Sequence, residues 1–263
     1  MAIRGNMDET RKGNSGQAIQ SVANSLEIVD VLSREDGPVS VTQLSDTIDL
    51  SPSSVHKHLQ TLREHGFVTK KGTEYQLGLE FLVIGGRVRE FHLKNTNIKP
   101  QLQGLSKQTG RNTYFTVEED GQAIILFREV GENGVPLSAR IGTRYYMHQI
   151  AGGKAILAEY PRERVEEIVE RHGLPAATEH TITDPETLFE ELDEVQDRGY
   201  ATTREESTRG VQAIAAPVTH PEQGVLGACA IGGPVHQIGD QSEELVRRLQ
   251  STVNELELTI AYS

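Results

Sequence analysis

Three groups of residues have the types and spacing that chemistry needs. The first is Ser51-Pro52-Ser53-Ser54 followed by His56-Lys57-His58, Gln60 and Thr61. Wound into a helix, Ser53, Lys57 and Gln60 share one face with Ser54, His56 and Thr61 on its flanks, a surface able to enter a major groove. Hydroxyls there would meet phosphate or base edges, and Lys57 would reach guanine or phosphate. The second group is Gln149-Ile150-Ala151-Gly152-Gly153, leading into a helix. Its backbone N–H groups and the helix dipole could hold a carboxylate; equally, its small residues would let a loop pack tightly on a sheet. The third is Glu205-Glu206. Neighbours on a strand point to opposite faces, so an acid/base pair is disfavoured and a solvated or loop-orienting role is expected. The nine histidines contain no His-Glu-x-x-His pattern, and His56 and His58 lie on different sides of a helix. His148 is expected to be structural. Gly152-Gly153-Lys154 lacks the spacing of a phosphate loop. No catalytic residue, cofactor or metal is expected.

The elements that must position the first group are legible around it. Ile19, Val22, Leu26, Val29 and Leu32 recur at helical spacing from about Gly16 to Leu32, and Gly37-Pro38 ends that run. Ser40-Val41-Thr42-Gln43 has the form of a capping box, with Val41, Leu44 and Ile48 following on one face. Ser51-Pro52 then supplies an N-cap and a first-turn proline for a third helix, whose buried stripe is Val55, Leu59 and Leu62. Phe67-Val68-Thr69, a Lys71-Gly72 turn signal and Glu74-Tyr75-Gln76-Leu77 read as a β-hairpin with Lys70 and Lys71 at its tip. Three helices and a hairpin make a winged helix-turn-helix. Its expected DNA contacts are Ser51, Ser53, Ser54, His56, Lys57, Gln60 and Thr61 on the third helix, Lys70 and Lys71 on the wing, and Thr42.

Downstream, Phe81, Ile84, Val88 and Phe91 share a face of a helix over 79–94, suited to linking two domains and packing on a partner chain, or to facing a core. Beyond it helical stretches (Ile98 to Thr109, then 162–172 and 184–198) mix with strand-like runs at 112–117, 123–130, 211–219 and 225–231. A closing helix carries Val246, Leu249, Val253, Leu256 and Ile260. That mixture indicates an α+β sensory domain.

At 263 residues the chain suits two domains. With no apolar run of membrane-spanning length and a polar, Gly-rich start, a soluble cytoplasmic protein is expected. Cys229, the one cysteine, excludes an intrachain disulfide and reads as a small buried residue. The formal net charge is -12, yet residues 1–152 carry 17 basic and 17 acidic groups while the rest carry 9 against 21. An acidic protein is repelled by nucleic acid at long range, so DNA binding needs a local basic patch, and the balanced part supplies one. The excess of arginine over lysine, with the acidity, suits a salt-rich cytoplasm and equally a GC-rich genome.

Leu50 to Leu62, LSPSSVHKHLQTL, ending in Gly66-Phe67-Val68, resembles the recognition-helix pattern of IclR-family transcription regulators. Three further segments resemble that family's effector domain: MHQIAGGKAILA (147–158), RGYATTREESTRGVQAIAAPV (198–218) and GVLGACAIGGP (224–234). Four segments in order, within about residues 15–260, make the resemblance specific. It implies a tail (1–14), a winged helix-turn-helix domain (15–78), a linker helix (79–94) and a GAF-like effector domain (95–263). It also implies a regulator of catabolic genes that binds a double-stranded DNA operator as a homodimer or tetramer under control of a small organic effector.

In that family the Gly-Gly loop, the strand after the Gly-Tyr turn and the last two strands line a pocket for small organic acids or aromatics. Carried over by position, the pocket residues are Leu137, Tyr145, Met147, Ala151, Gly152, Thr203, Ala213, Ala230 and Gly232. Members that bind small keto acids tend to carry Asp, Cys and Ser where this chain has Thr203, Ala213, Ala230 and Gly232. A roomier, more apolar pocket for an aromatic or sugar-derived acid follows, or no ligand. The competing reading is an enzyme or metabolite sensor whose helical module makes protein contacts only.

Overall fold

The computed structural model describes residues 19–93, 96–135, 139–239 and 242–261. The expected tail (1–14) and Leu137 lie outside them. Two compact units divide between His92 and Leu93.

The first unit contains α1 (Gln20–Arg34), α2 (Val41–Ile48), α3 (Pro52–Glu64), β1 (Val68–Lys71), β2 (Glu74–Leu77) and α4 (Glu80–Leu93). Both expected caps form. Ser40 and Gln43 close the capping box, and the Ser51 hydroxyl accepts from the Ser54 N–H. Asp49 in the left-handed region (φ 50°) turns the chain sharply between α2 and α3. Ile28, Leu32, Leu44, Val55, Leu59, Val68 and Tyr75 form the core.

One facing is defined here and one expectation changes. The buried face of α1 is Ile28 and Leu32 with half-buried Val31, whereas Ile19, Val22 and Leu26 are 69%, 53% and 63% exposed. The helix is apolar on two sides, and only one meets the core. At the hairpin, the two-residue turn is Gly72-Thr73, with Gly72 at φ +65°, and Lys71 pairs with Glu74 while Lys70 pairs with Tyr75. Lys71 therefore flanks the turn, and Lys70 sits one step back on the other face of the ribbon. In α4, the Phe81 ring packs at a tilt against Phe67 with ring centroids 5.1 Å apart. None of its residues is buried, and Leu82, Val88 and Phe91 are strongly exposed.

The second unit is built on a six-stranded antiparallel sheet of β3 (Asn112–Glu119), β4 (Gln122–Glu129), β5 (Arg144–Tyr146), β6 (Ala201–Arg204), β7 (Val211–His220) and β8 (Gly224–Pro234), in the order β5-β4-β3-β8-β7-β6. One face packs on α6 (Ala151–Leu157), α7 (Arg162–His172) and α8 (Pro185–Arg198). The other packs on α5 (Ile98–Thr109), the short α9 (Val235–Gly239) and α10 (Ser242–Ala261). Strands β5 and β6, three and four residues long, give too little alternation to be read from sequence.

A bulge sets the chemistry of the α6 face. Thr116 pairs with Ile125 but Phe115 pairs with Phe127, so Leu126 is the extra residue of β4. Leu126 and Phe127 both enter the α5–α10 core. The shift leaves Arg128 directly across from Tyr114, and Ile125 across from Thr116, on the α6 side. Among the described residues no helix is long and apolar enough to cross a membrane.

Candidate DNA-contact surface and effector pocket

The contact surface follows from how α3 is anchored. Val55 and Leu59 are fully buried and Leu62 half-buried, which turns Ser53, His56, Lys57, Gln60 and Thr61 outward, all exposed. Ser54 is half-buried, Ser51 is exposed and shares its cap with a 3.1 Å contact to the Ser53 hydroxyl, and Thr42 is exposed on the first turn of α2. The Gln60 amide donates to Glu64, and the Thr61 hydroxyl donates to the Lys57 carbonyl, bonds that exposed side chains can exchange for a ligand. His58 turns inward, its Nδ1 2.8 Å from the Ser25 hydroxyl of α1. His56 instead lies edge-on to Tyr75, and the Lys70 ammonium sits 5.5 Å from the same ring. Tyr75 thus ties the recognition helix to the wing, with two basic groups beside it. Lys71 is exposed at the turn.

In the second unit a cavity of about 350 Å³ opens on the α6 face of the sheet. That volume suits a small organic molecule. Of the expected residues, Tyr145, Ala151, Gly152, Ala213, Ala230 and Gly232 line it. Met147 and Thr203 do not. Met147 is buried in the core as the first residue of a 3-10 turn (Met147–Gln149), and its carbonyl packs so closely on Gly153 that a Cβ there would come within 2.1 Å. Thr203 is buried on the edge strand β6, across from Ala213 and one strand further out, where β6 packs on α6. Carrying positions over by family pattern put both residues in the cavity because they neighbour it.

Gly152 has a packing role as well, since a Cβ would stand 2.8 Å from the Thr116 hydroxyl. α6 is only seven residues long and has no side-chain N-cap, so its dipole is a small part of the site.

The cavity has polar groups that sequence reasoning missed: Tyr114 and Thr116 on β3, and Ser207, Thr208 and Arg209 on the loop after β6. The Tyr114 hydroxyl is buried with no hydrogen-bond partner among the described residues. Burial pushes it above the usual phenol range, an effect that the nearby Arg128 charge partly offsets. Tyr145 is raised likewise by burial, then by Tyr114, with Arg128 again opposing. Arg128 Nη1 donates to the Ala139 carbonyl at 2.9 Å, while its buried Nε has no partner among the described residues. Arg209, mostly exposed, pairs with Glu179 at 2.9 Å.

The loop that carries Ser207–Arg209 is held by buried charge. Lys154 on α6 is 1% exposed, and its ammonium is 2.7 Å from a Glu206 carboxylate oxygen, off the line of a hydrogen bond. Burial pushes the Glu206 carboxyl up, and Lys154 only partly counters it. The Glu206 carbonyl accepts from Thr181 at 2.6 Å. Glu206 is therefore not solvated as expected. Glu205 orients the loop, as its carboxylate accepts from the Gly210 N–H at 2.7 Å while its backbone adopts φ 62°. The lone lysine in Ala-Gly-Gly-Lys-Ala-Ile-Leu-Ala was the available signal: a cation in so apolar a helix needs a buried partner.

His148 is structural, its Nε2 3.1 Å from the Pro175 carbonyl, which also accepts from Gln149 at 2.8 Å. Burial lowers its pKa to about 4, against the pull of that hydrogen bond. Cys229 is fully buried, and burial pushes its thiol far above the usual range.

Two family descriptions match. "IclR helix-turn-helix domain" covers residues 21–72, and "Bacterial transcriptional regulator IclR C-terminal" covers residues 88–258. The chain is 29% identical over 230 residues to the probable HTH-type transcriptional regulator ArcR of Halobacterium salinarum, across 86% of this chain and 87% of that protein. It superposes on the crystal structure of the Thermotoga maritima IclR with a TM-score of 0.80 at 25% identity, covering 93% of this chain and 100% of that one. An IclR homolog from Microbacterium hydrocarbonoxydans, solved with 4-hydroxybenzoate, has the same fold at 20% identity (TM-score 0.79, 92% and 100% covered).

Proposed function

The chain belongs to the IclR family of bacterial transcriptional regulators, and from that premise we propose that paired α3 faces read a palindromic operator while a small organic acid in the second unit adjusts the binding. The observation that carries the reading is the exposed line of Ser53, Lys57 and Gln60 opposite the buried Val55 and Leu59. A helix anchored on one side and armed with donors on the other is what major-groove reading needs. Lys71 on the wing reaches sugar-phosphate, and Lys70 adds positive charge beside the groove-facing helix.

One winged module makes too few base contacts for an operator-length site. The unpartnered apolar faces of α1 (Ile19, Val22, Leu26) and α4 (Leu82, Val88, Phe91) are the surfaces that a second copy buries, giving a homodimer, with tetramers built from dimers. The relatives compared are transcriptional regulators rather than enzymes, and the protein works in the cytoplasm where its DNA is.

The effector is bulkier than a two- or three-carbon keto acid. Ala213, Ala230 and Gly232 supply no side-chain donors, and the cavity has room for a ring. The 4-hydroxybenzoate held by a protein of the same fold is the natural first probe. Gel shifts with genomic fragments selected by the purified protein test the whole reading. Retarded complexes that respond to a bulky acid are expected, and the absence of duplex binding at both low and high salt would return the helical module to a protein-contact role.

A further inference from the structure

Two buried polar groups beside the cavity make no well-formed hydrogen bond among the described residues, the Tyr114 hydroxyl and the Arg128 Nε–H, although Arg128 and Asn112 both lie close enough to the phenol to favour its ionised form. They belong to directly opposed residues of the β3–β4 ladder, on the same face of the sheet. Tyr114, 6% exposed, lines the cavity, and so does Ala139, whose carbonyl fixes the Arg128 guanidinium from the other side. An unpaired buried donor is costly, and proteins retain few of them. Two together on one wall of the cavity mark the place of a missing acceptor. Because one of the two carries a full positive charge, an anionic acceptor is favoured over a neutral one.

Building on the reading of this cavity as the effector site, we propose that Tyr114 is its specificity-determining residue: its hydroxyl, backed by the Arg128 charge, takes the carboxylate oxygen of an acid whose apolar or aromatic body lies along Ile125, Ile150 and Ala230. The acid's charge is neutralised at the Tyr114 wall of the cavity, and its body lies against the small residues of β7 and β8. A neutral molecule of the same shape fills the same space but leaves the guanidinium uncompensated. Ordered water would satisfy the two donors equally well without any effector, and this is the alternative that the experiment must separate.

The full chain is titrated calorimetrically with benzoate, 4-hydroxybenzoate and cyclohexanecarboxylate, and with benzamide and benzyl alcohol as neutral counterparts. Wild type is expected to bind the acids better than the neutral compounds. Tyr114→Phe is expected to weaken the acids about 10- to 100-fold, the loss of one hydrogen bond to a charged group, and to leave the neutral compounds unchanged. The ligand-free melting temperature of Tyr114→Phe should equal or exceed that of wild type, since the substitution removes an unpaired hydroxyl, so a folding defect cannot mimic the result. Ala230→Leu, which fills the cavity from β8, should abolish all binding. If Tyr114→Phe binds the acids as wild type does while Ala230→Leu abolishes binding, the cavity reading stands and the role of Tyr114 is overturned. If the acids bind no better than the neutral compounds, or not at all, the two donors hold water and the acid class is overturned. If acids bind and Ala230→Leu leaves them unaffected, the site itself lies elsewhere.

Discussion

Lys57 and Lys154 stand on helices of the two units in opposite environments. Lys57 is exposed on α3, above a core of purely apolar contacts, and its ammonium enters no ion pair among the described residues. Lys154 is 1% exposed on α6 and is held by Glu206, which in turn belongs to the loop that borders the cavity. The first unit thus carries its chemistry on a surface that the fold can vary freely. The second carries its chemistry inside, where every charge must be paired and where ligand binding and stability share the same residues. Substitutions in the two places should therefore separate cleanly: interior ones change stability first, exterior ones change DNA binding alone.

The largest effect is expected from Lys154→Met, which leaves the Glu206 carboxylate buried and unpaired and should cost about 3 to 5 kcal/mol in denaturant unfolding. The double variant Lys154→Met/Glu206→Leu should recover most of that loss. A single variant as stable as wild type would show that the pair is not a constraint of the fold.

Next comes pH. His148 titrates near 4 in the folded state against an ordinary value of 6.5. Between those values the unfolded chain binds more protons than the folded one, so stability contributed by neutral His148 is complete above 6.5 and falls as pH drops toward 4, by up to about 3 kcal/mol. Below that window its contribution is constant. Unfolding curves of wild type and His148→Asn should converge as the pH is lowered through this range; parallel curves would mean that the histidine is not buried neutral.

Exterior changes should be smaller and of another kind. Lys57→Ala is expected to weaken operator binding by about 1 to 3 kcal/mol while leaving the melting temperature within a degree or so, because it removes a base-edge contact and no packing. Lys71→Ala should lower affinity for all sequences alike and reduce the salt slope by about one unit. Lys70→Ala should do less to the salt slope, since Lys70 is engaged with the Tyr75 ring on the other face of the hairpin. Equal effects of the two lysines would place both at the phosphate backbone.

The same contrast explains what was legible in the sequence. α3 was readable to the residue at its start because Ser51-Pro52 is a cap with a local mechanism, and because Val55, Leu59 and Leu62 follow the helical period. α1 was legible in its period but not in its facing. Ile19, Val22 and Leu26 are as periodic as Ile28, Val31 and Leu32, and periodicity cannot distinguish a face that meets its own core from one left exposed. In the second unit the family pattern located the cavity, with six of its expected residues in the lining, but the polar residues came from tertiary placement. Arg128 reaches the α6 face only because Leu126 bulges out of β4. Glu206 is buried because the chain leaves β6 at Arg204, so a strand-based reading of Glu205-Glu206 did not apply.

The most direct test of the account is sequence-specific DNA binding by the outer face alone. Genomic fragments bound by purified wild-type protein are sequenced, and the affinity of the recovered site is measured by fluorescence anisotropy for wild type, Lys57→Ala and Lys154→Met/Glu206→Leu. The account predicts a palindromic site that wild type and the double interior variant bind with similar affinity in the absence of effector, and that Lys57→Ala binds about 5- to 150-fold more weakly. Equal binding of that site by Lys57→Ala, or no enriched site at any salt concentration, would contradict the assignment of α3 as the surface that reads DNA.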